Sequence, residues 1–363
     1  MEQRRILIIA NNDGGLYHFR LLLIENLLAQ GNEVYISDPS GDFIQYLIDM
    51  GCEFIDAPID RRGINPITDL RLLKKYFDIA NQVEPDLVIT YTIKPNIYGG
   101  IVCRLKKIPY AANITGLGTA LQKQGLLKVV VTALYKMAIR KAKVVFFENA
   151  ENEKTLIDMN ICRKGQSKLL NGAGVDLEHY TYLEYPTEDI PIHFLFIGRV
   201  MKEKGIDELV SAMERLCRDG EKCVLDVVGE YEEDYSADFE CYQKDGWLRY
   251  YGHQKDVRPF IQNAHCFVLP SWHEGMANTN LECAASGRPI ITSNIAGCRE
   301  AVIENETGFL CQPKDAESLY EAMKRFLALS TEQRVAMGQA GRRHMENTFD
   351  KRKVVEETLK CLE

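Results

Sequence analysis

The chain has 363 residues, enough for about two domains, and its 46% hydrophobic content can fill two cores. Its 11 cysteines are scattered, with no CxxC and no zinc-spaced Cys/His cluster, which argues against a disulfide or zinc scaffold and for small core hydrophobes in a reducing compartment. The net charge is −8, yet Leu87 to Phe147 holds no Asp or Glu and ten cations, so the remainder of the chain carries −18.

The ten cations are Lys94, Arg104, Lys106, Lys107, Lys123, Lys128, Lys136, Arg140, Lys141 and Lys143. Such a stretch is either a solvated face or a surface that meets anions, lipid headgroups or phosphorylated ligands. No nucleic-acid-binding motif accompanies it. The opening "MEQRRILIIA" has too short an apolar run for a signal peptide and reads as a buried first strand. No apolar run approaches the roughly 18 residues of a membrane span. The expected location is the cytosol, or the cytosolic side of a membrane.

In chain order, "RILIIAN" predicts a strand and "HFRLLLIENLLAQG" a helix stopped at Gly31. "EVYISD" (strand), "FIQYLIDMG" (helix) and "CEFIDAPI" (strand) follow. Asn65 and Pro66 open a long helix that ends before Pro85. "DLVITYT", "PYAANIT" and "KVVFFEN" are strands, separated by the helices "NIYGGIVCRLKK" and "LLKVVVTALYKMAIRKA". Residues 171–191 are polar and turn-rich, which predicts an interdomain linker. The alternation then restarts at "IHFLFIGR" and runs through "GIDELVSAMERLCRDG", "CVLDVVGE", "LRYYGH", "DVRPFIQNA", "CFVLPS", "TNLECAASG" and "PIITSN". Strands alternating with helices imply α/β domains with parallel sheets covered on both faces. The expected boundaries are 1–172 and 190–349. Open parallel sheets bind ligands at the C-terminal ends of their strands. Two such domains facing a cleft suit a reaction that joins two ligands.

Three stretches at those strand ends carry candidate chemistry. "NNDGG", after the first strand, has Gly14 and Gly15 where a helix points its N-terminus, and it meets neither the GxGxxG nor the P-loop fingerprint. "FIGRVMKEKG" places Arg199 and Lys204 after the second domain's first strand, where a guanidinium and an ammonium suit a diphosphate. "PSWHEGMANTNLECAASG" places Glu274 at a strand's end and Glu282 on the following helix, with the amides of Gly275, Met276, Ala277 and Asn278 between them. The amides can bind anions or hydroxyls, and both carboxylates can line one pocket. The glutamates can hold sugar hydroxyls or act as an acid/base pair, or they are ordinary surface residues.

Taken together, these stretches resemble a known family. Glu274 and Glu282 match the EX7E signature of the retaining GT4-type glycosyltransferases. "PSWHEG", "LECAASGRPIITSNIAGCREAVIENETGFL", "GRVMKEKG" and "NGAGVDLEHY" are similar to the family's other segments. "NITGLGTA" and "YTIKPNIYGG" resemble the capsule- and lipid-linked-oligosaccharide branch that includes CapM- and PglA-like enzymes.

The resemblance implies a GT-B fold of two Rossmann-like domains, with the last helix, residues 350–363, crossing back to rejoin the first. It implies no metal and no resident cofactor, with a nucleotide sugar, expected to be a UDP-sugar, as co-substrate. Gly198, Arg199 and Lys204 would meet the donor diphosphate, and Glu282 the ribose. Glu274 and the amides after it would hold the transferred sugar. Gly15 would approach the donor from the first domain, and Gly14, His18 and Thr115 the acceptor. The loops at Gly229–Glu230 and Gly252–Asp256 would border the base. The His that many relatives carry after the fifth strand is absent from Asn113, Ile114, Thr115 and Gly116, so no acid/base is assigned. The implied partners are a polyprenyl-diphosphate-linked acceptor and an anionic membrane surface that the basic 87–147 stretch would contact. A sugar-nucleotide epimerase, a phosphorylase or a catalytically silent nucleotide-sugar-binding subunit are the competing readings.

Overall fold

A computed structural model describes residues 3–60, 63, 65–117, 125–186 and 191–363. Lys123, residues 118–120 of "NITGLGTA" and residues 187–190 of the expected linker lie outside them. The chain forms two compact units, Met1–Ala173 with Arg352–Glu363, and Gly174–Lys351.

The first unit contains β1 (Arg5–Ile9), α1 (Asp13–Ala29), β2 (Glu33–Asp38), α2 (Ile44–Asp49), β3 (Glu53–Asp56), α3 (Pro66–Val83) and β4 (Leu87–Tyr91). It continues with α4 (Gly100–Lys106), β5 (Tyr110–Ile114), α5 (Leu126–Ile139), β6 (Val144–Phe147), α6 (Ala150–Asp158) and β7 (Ser167–Leu169). The strands form a parallel sheet of order β3-β2-β1-β4-β5-β6-β7. Alternate residues feed opposite faces, as the two-residue period of a strand requires. Leu7, Ile9, Val88 and Val145 pack under α3, α4 and α5, whereas Ile6, Ile8, Ile89 and Phe146 pack under α1 and α2. The second face is also covered by the C-terminal helix Lys351–Leu362, through Val354, Val355 and Leu362. Arg4 and Lys143 anchor that helix by donating to the Leu362 carbonyl at 3.3 and 3.1 Å.

The start of α1 differs from the expected glycine turn. The helix begins at Asp13, because the Asn12 side chain caps it by accepting from the Gly15 amide at 2.8 Å. Gly14 and Gly15 are therefore first-turn helical residues, and neither has positive φ. The expected cap at Asn65 is present, its side chain accepting from the Ile67 amide at 2.9 Å.

The second unit contains β8 (Ile192–Ile197), α7 (Ile206–Arg218), β9 (Cys223–Val228), α8 (Ser236–Lys244), β10 (Leu248–Tyr250), α9 (Arg258–Asn263) and β11 (Cys266–Leu269). It ends with α10 (Asn278–Ala285), β12 (Ile290–Ser293), β13 (Gly308–Cys311), α11 (Ala316–Leu327) and α12 (Thr331–His344). Its parallel sheet has the order β10-β9-β8-β11-β12-β13. That is the doubly wound order, and it reverses between β8 and β11.

Residues 174–186, expected to be part of a linker, pack onto this unit instead. The fully buried Arg288 guanidinium donates to the carbonyls of Leu183 and Glu184 at 3.2 and 2.9 Å. The Tyr185 hydroxyl donates to the His265 carbonyl at 3.0 Å. Turn-rich composition reports the absence of a periodic element, not the absence of tertiary contacts.

Candidate active site

The switch point of the second sheet lies where the loops leaving β8 and β11 meet. Gly205 makes the close approach possible. Its φ is +78°, and a Cβ there would lie 2.2 Å from the Pro270 carbonyl oxygen. The turn at Lys202–Lys204 therefore seats directly against the β11 loop. Trp272 stitches the two together, its amide donating to the Glu203 carbonyl at 3.0 Å and its indole N–H to Glu208 at 3.1 Å.

This seating brings Lys204 and Glu274 into contact. Lys204 Nζ lies 2.5 Å from Glu274 Oε1, which also accepts from the Ser271 hydroxyl at 2.7 Å. Both side chains are mostly buried. Arg199 ends elsewhere, paired with Glu232 at 3.1 Å. The two cations that the sequence placed together thus hold different carboxylates. An ammonium carries three donors, so the Glu274 contact leaves two for an incoming phosphate.

Helix α10 starts beside Glu274 with no side-chain cap, and α7 likewise starts at Gly205 uncapped. Uncapped N-termini present free amides and the positive end of the helix dipole. The amides are not equivalent, however. Ala277 N–H donates to the Gly297 carbonyl at 2.7 Å, so it is occupied, contrary to the expectation of four available amides. Gly297 sits so near because, at φ +84°, it lacks a Cβ that would come within 2.6 Å of the Gly275 carbonyl oxygen. Among the described residues, the Met276 and Asn278 amides have no protein acceptor. The Met276 side chain is buried.

Glu282, the fifth residue of α10, has different surroundings from Glu274. Burial pushes its carboxyl up to about 7, while the Tyr180 hydroxyl hydrogen-bonded to it and the Lys351 charge pull the other way. Gly198 follows β8 directly, and its amide donates to the Val228 carbonyl at 3.0 Å. The loops expected to border the base are joined by Gly229 N–H donating to the Gly252 carbonyl at 2.8 Å.

Glu232, Ser271, Tyr180 and Lys351 escaped the sequence reading. Glu232, Tyr180 and Lys351 act on residues distant in sequence, whereas Ser271 acts on Glu274 three positions on, and neither "PSWHEG" nor "NGAGVDLEHY" marks Ser271 or Tyr180 as a partner of a glutamate. Tyr180 also lay inside the presumed linker.

In the first unit, Gly14, Gly15 and Thr115 lie at the C-terminal edge of the sheet, at the start of α1 and just after β5. His18 is an exposed residue of α1, and its ring makes edge contacts with Tyr17 and Phe43 at 5.1 and 5.0 Å. Among the described residues, no group of three or more His, Cys, Asp or Glu is placed to hold a metal ion.

Comparison with known proteins agrees with this arrangement. A family model described as "Glycosyl transferase 4-like" matches residues 5–149, and one described as "Glycosyl transferases group 1" matches residues 185–344. The chain is 28% identical over 343 residues to N,N'-diacetylbacillosaminyl-diphospho-undecaprenol alpha-1,3-N-acetylgalactosaminyltransferase of Campylobacter jejuni, covering 89% of each chain. It is 25% identical to the capsular polysaccharide biosynthesis glycosyltransferase CapM of Staphylococcus aureus, over 82% of this chain and 81% of that one. It is also 25% identical to UDP-Gal:alpha-D-GlcNAc-diphosphoundecaprenol alpha-1,3-galactosyltransferase of Escherichia coli, over 80% and 78%. Among solved structures, Anabaena HepE in complex with UDP and glucose superposes with a TM-score of 0.80 at 16% identity, over 99% of both chains. A glycosyltransferase from Rickettsia africae superposes with a TM-score of 0.79 at 17% identity, over 99% of this chain and 98% of that one. With both halves matched and two doubly wound parallel sheets in place, the chain belongs to the GT4-like, group 1 glycosyltransferases and has the GT-B fold.

Proposed function

We propose that this glycosyltransferase moves a sugar from a UDP-sugar onto a polyprenyl-diphosphate-linked saccharide, with retention of configuration and without a metal ion, at the cytoplasmic face of a membrane. The observation that carries the donor half is the Lys204–Glu274 pair at the switch point, flanked by two uncapped helix N-termini. Cations and free amides suit a diphosphate, and a carboxylate beside them suits sugar hydroxyls. Glu282 is assigned to the ribose, and Arg199 joins Lys204 on the diphosphate. The UDP assignment follows the E. coli relative, whose name specifies UDP-Gal. The acceptor assignment follows the names of the C. jejuni and E. coli relatives, both of which specify an undecaprenol diphosphate sugar. Both names also specify an alpha linkage, the product of retention when the donor sugar is α-linked to its nucleotide.

The chemistry follows a front-side route. The bond between the anomeric carbon and the diphosphate oxygen lengthens, and an oxocarbenium-like centre forms. The acceptor hydroxyl attacks from the face the diphosphate is leaving, and its proton passes to the departing phosphate oxygen. The protein acts by holding both ligands in place and by stabilising charge on the diphosphate.

Membrane association is supported by the outer side of α5. Tyr135, Ala138 and Ile139 cover the sheet, yet Leu127, Val129, Val130 and Met137 are 42–65% exposed on the same helix. An apolar stripe turned to solvent marks a contact surface. A cavity of about 590 Å³ beside its last turn is lined by Arg104, Lys136, Arg140 and Arg163, with no acidic side chain among its lining residues. Apolar residues bordered by cations suit an anionic bilayer. Among the described residues, no helix is long and apolar enough to cross a membrane.

The deciding experiment incubates the protein with UDP-, GDP- and ADP-sugars and a short polyprenyl-diphosphate sugar, followed by mass spectrometry. An acceptor heavier by one sugar, formed from a UDP-sugar, is the expected result. Interconversion of the nucleotide sugar without an acceptor would establish an epimerase. Nucleotide binding with no turnover would establish a silent subunit.

A further inference from the structure

From the arrangement of rings at the start of α1 and α2, we infer that Tyr17, Phe43 and Tyr46 form a platform that binds the saccharide part of the acceptor. The inference rests on the transferase reading above and names a subsite for it. Tyr17 stacks on Phe43 with centroids 4.5 Å apart and 23° between planes. Tyr46 meets the edge of Tyr17 at 4.9 Å, and His18 meets the edge of Phe43 at 5.0 Å. These rings pack on one another and belong to neither hydrophobic core of the unit. Tyr46 is 46% exposed, although it lies on a helix whose Ile44 and Leu47 are buried.

The platform is held in place from below. The Asp13 carboxylate accepts from the Phe43 amide at 2.8 Å, which ties the loop before α2 to the first turn of α1. Gly14 lies against the ring, where a Cβ would stand at ordinary contact distance, 3.5 Å, from Phe43 Cε2. The rings therefore stand at the C-terminal ends of β1 and β2, the edge at which open parallel sheets bind ligands.

Charge identifies the occupant. Beside the rings, the first turn of α1 and residues 39–46 carry Asp13 and the exposed Asp42 and no Lys or Arg. An acidic rim repels phosphate and anionic lipid, and so contrasts with the basic cavity beside α5. A neutral pyranose fits both features. Its C–H face lies against the electron-rich faces of aromatic rings, and its hydroxyls donate to carboxylates such as the exposed Asp42 at the rim.

The test compares Tyr46→Ala, Phe43→Ala and Tyr46→Phe in transfer to two acceptors, one with a full polyprenyl tail and one with a short soluble tail. Circular dichroism confirms that each variant is folded. The alanine variants are expected to raise the KM for both acceptors about tenfold or more, with donor KM unchanged. Tyr46→Phe is expected to raise the acceptor KM less than Tyr46→Ala does, because stacking needs the ring and not the hydroxyl. Unchanged acceptor KM in folded alanine variants would overturn the platform and leave the transferase standing. A defect confined to the long-tailed acceptor would also overturn it, by assigning the rings to the polyprenyl chain. If the wild-type protein transfers nothing, saturation-transfer NMR with the free acceptor saccharide decides the platform separately. A saccharide signal present in the wild-type protein and abolished in Tyr46→Ala supports it. A signal that persists in the variant, or is missing from the wild-type protein, refutes it.

Discussion

Lys204 Nζ and Glu274 Oε1 are 2.5 Å apart, although the residues lie 70 positions apart in the chain. The pair joins the two loops that flank the switch point of the second sheet. Replacing Glu274 with Ala is expected to abolish transfer and leave the fold intact, because its assigned role is toward the sugar. Replacing Lys204 with Met is expected to lower kcat on the order of 10²–10³-fold, the loss typical of a donor that stabilises developing charge. Steady-state kinetics with thermal melts checks both. Turnover within a few-fold of wild type would refute the assignments.

Gly205 tests whether the seating of that loop matters. Gly205→Ala places a Cβ against the Pro270 carbonyl at a positive φ. It is expected to cost about 1 kcal/mol or more in stability and to lower kcat, since the Lys204 turn must lift away. Gly220→Ala, also at positive φ but with open space around its Cβ, is the control for backbone strain alone. Equal loss of activity in both variants would show that contact with Pro270 is immaterial.

Glu282 gives a pH signature. Its carboxyl is raised from 4.5 to about 7. The folded state therefore holds the proton more tightly than the unfolded state. The resulting stabilisation is fully present below about pH 4.5 and is lost as pH rises through about 7. The full shift corresponds to on the order of 3 kcal/mol. Glu282→Gln is expected to flatten this fall in melting temperature between pH 5 and 8. An identical slope in the variant would mean that Glu282 does not titrate there.

Arg288 should prove structural. Burial pulls its guanidinium down to about 10, and its donors reach the carbonyls of Leu183, Glu184, Ile261 and Gln262. Arg288→Met is expected to cost on the order of 3 kcal/mol by leaving these carbonyls without donors. Urea denaturation measures the loss. A change below about 1 kcal/mol would show that residues 183–184 contribute little to holding the unit together.

The outer face of α5 is expected to bind membranes. The double variant Val129→Glu, Val130→Glu should stop co-sedimentation with phosphatidylglycerol vesicles while UDP-sugar binding persists. Neutral phosphatidylcholine vesicles are expected to bind the wild-type protein less well. Equal sedimentation with both lipids, or of both proteins, would remove the membrane reading.

Much of the architecture was legible because strand and helix periods are local. The alternation of β1 through β6 and the restart at β8 follow from residues within a few positions of one another. The short β7, and β13, α6, α8, α11 and α12, went unread. The three-residue β7 is too short to show a strand period.

Local patterning is enough to establish that two parallel α/β sheets form, and that Glu274, Glu282, Arg199 and Lys204 stand at or beyond the ends of their strands. Which of them meet is a matter of tertiary structure. Sheet order sets β8 beside β11, and Gly205 lets their loops touch, so Lys204 reaches Glu274 while Arg199 turns to Glu232. Tertiary packing also sets Gly297 against the Ala277 amide, and seats residues 174–186 on the second unit's surface. These outcomes depend on loops far apart in the chain, whose meeting no local period encodes.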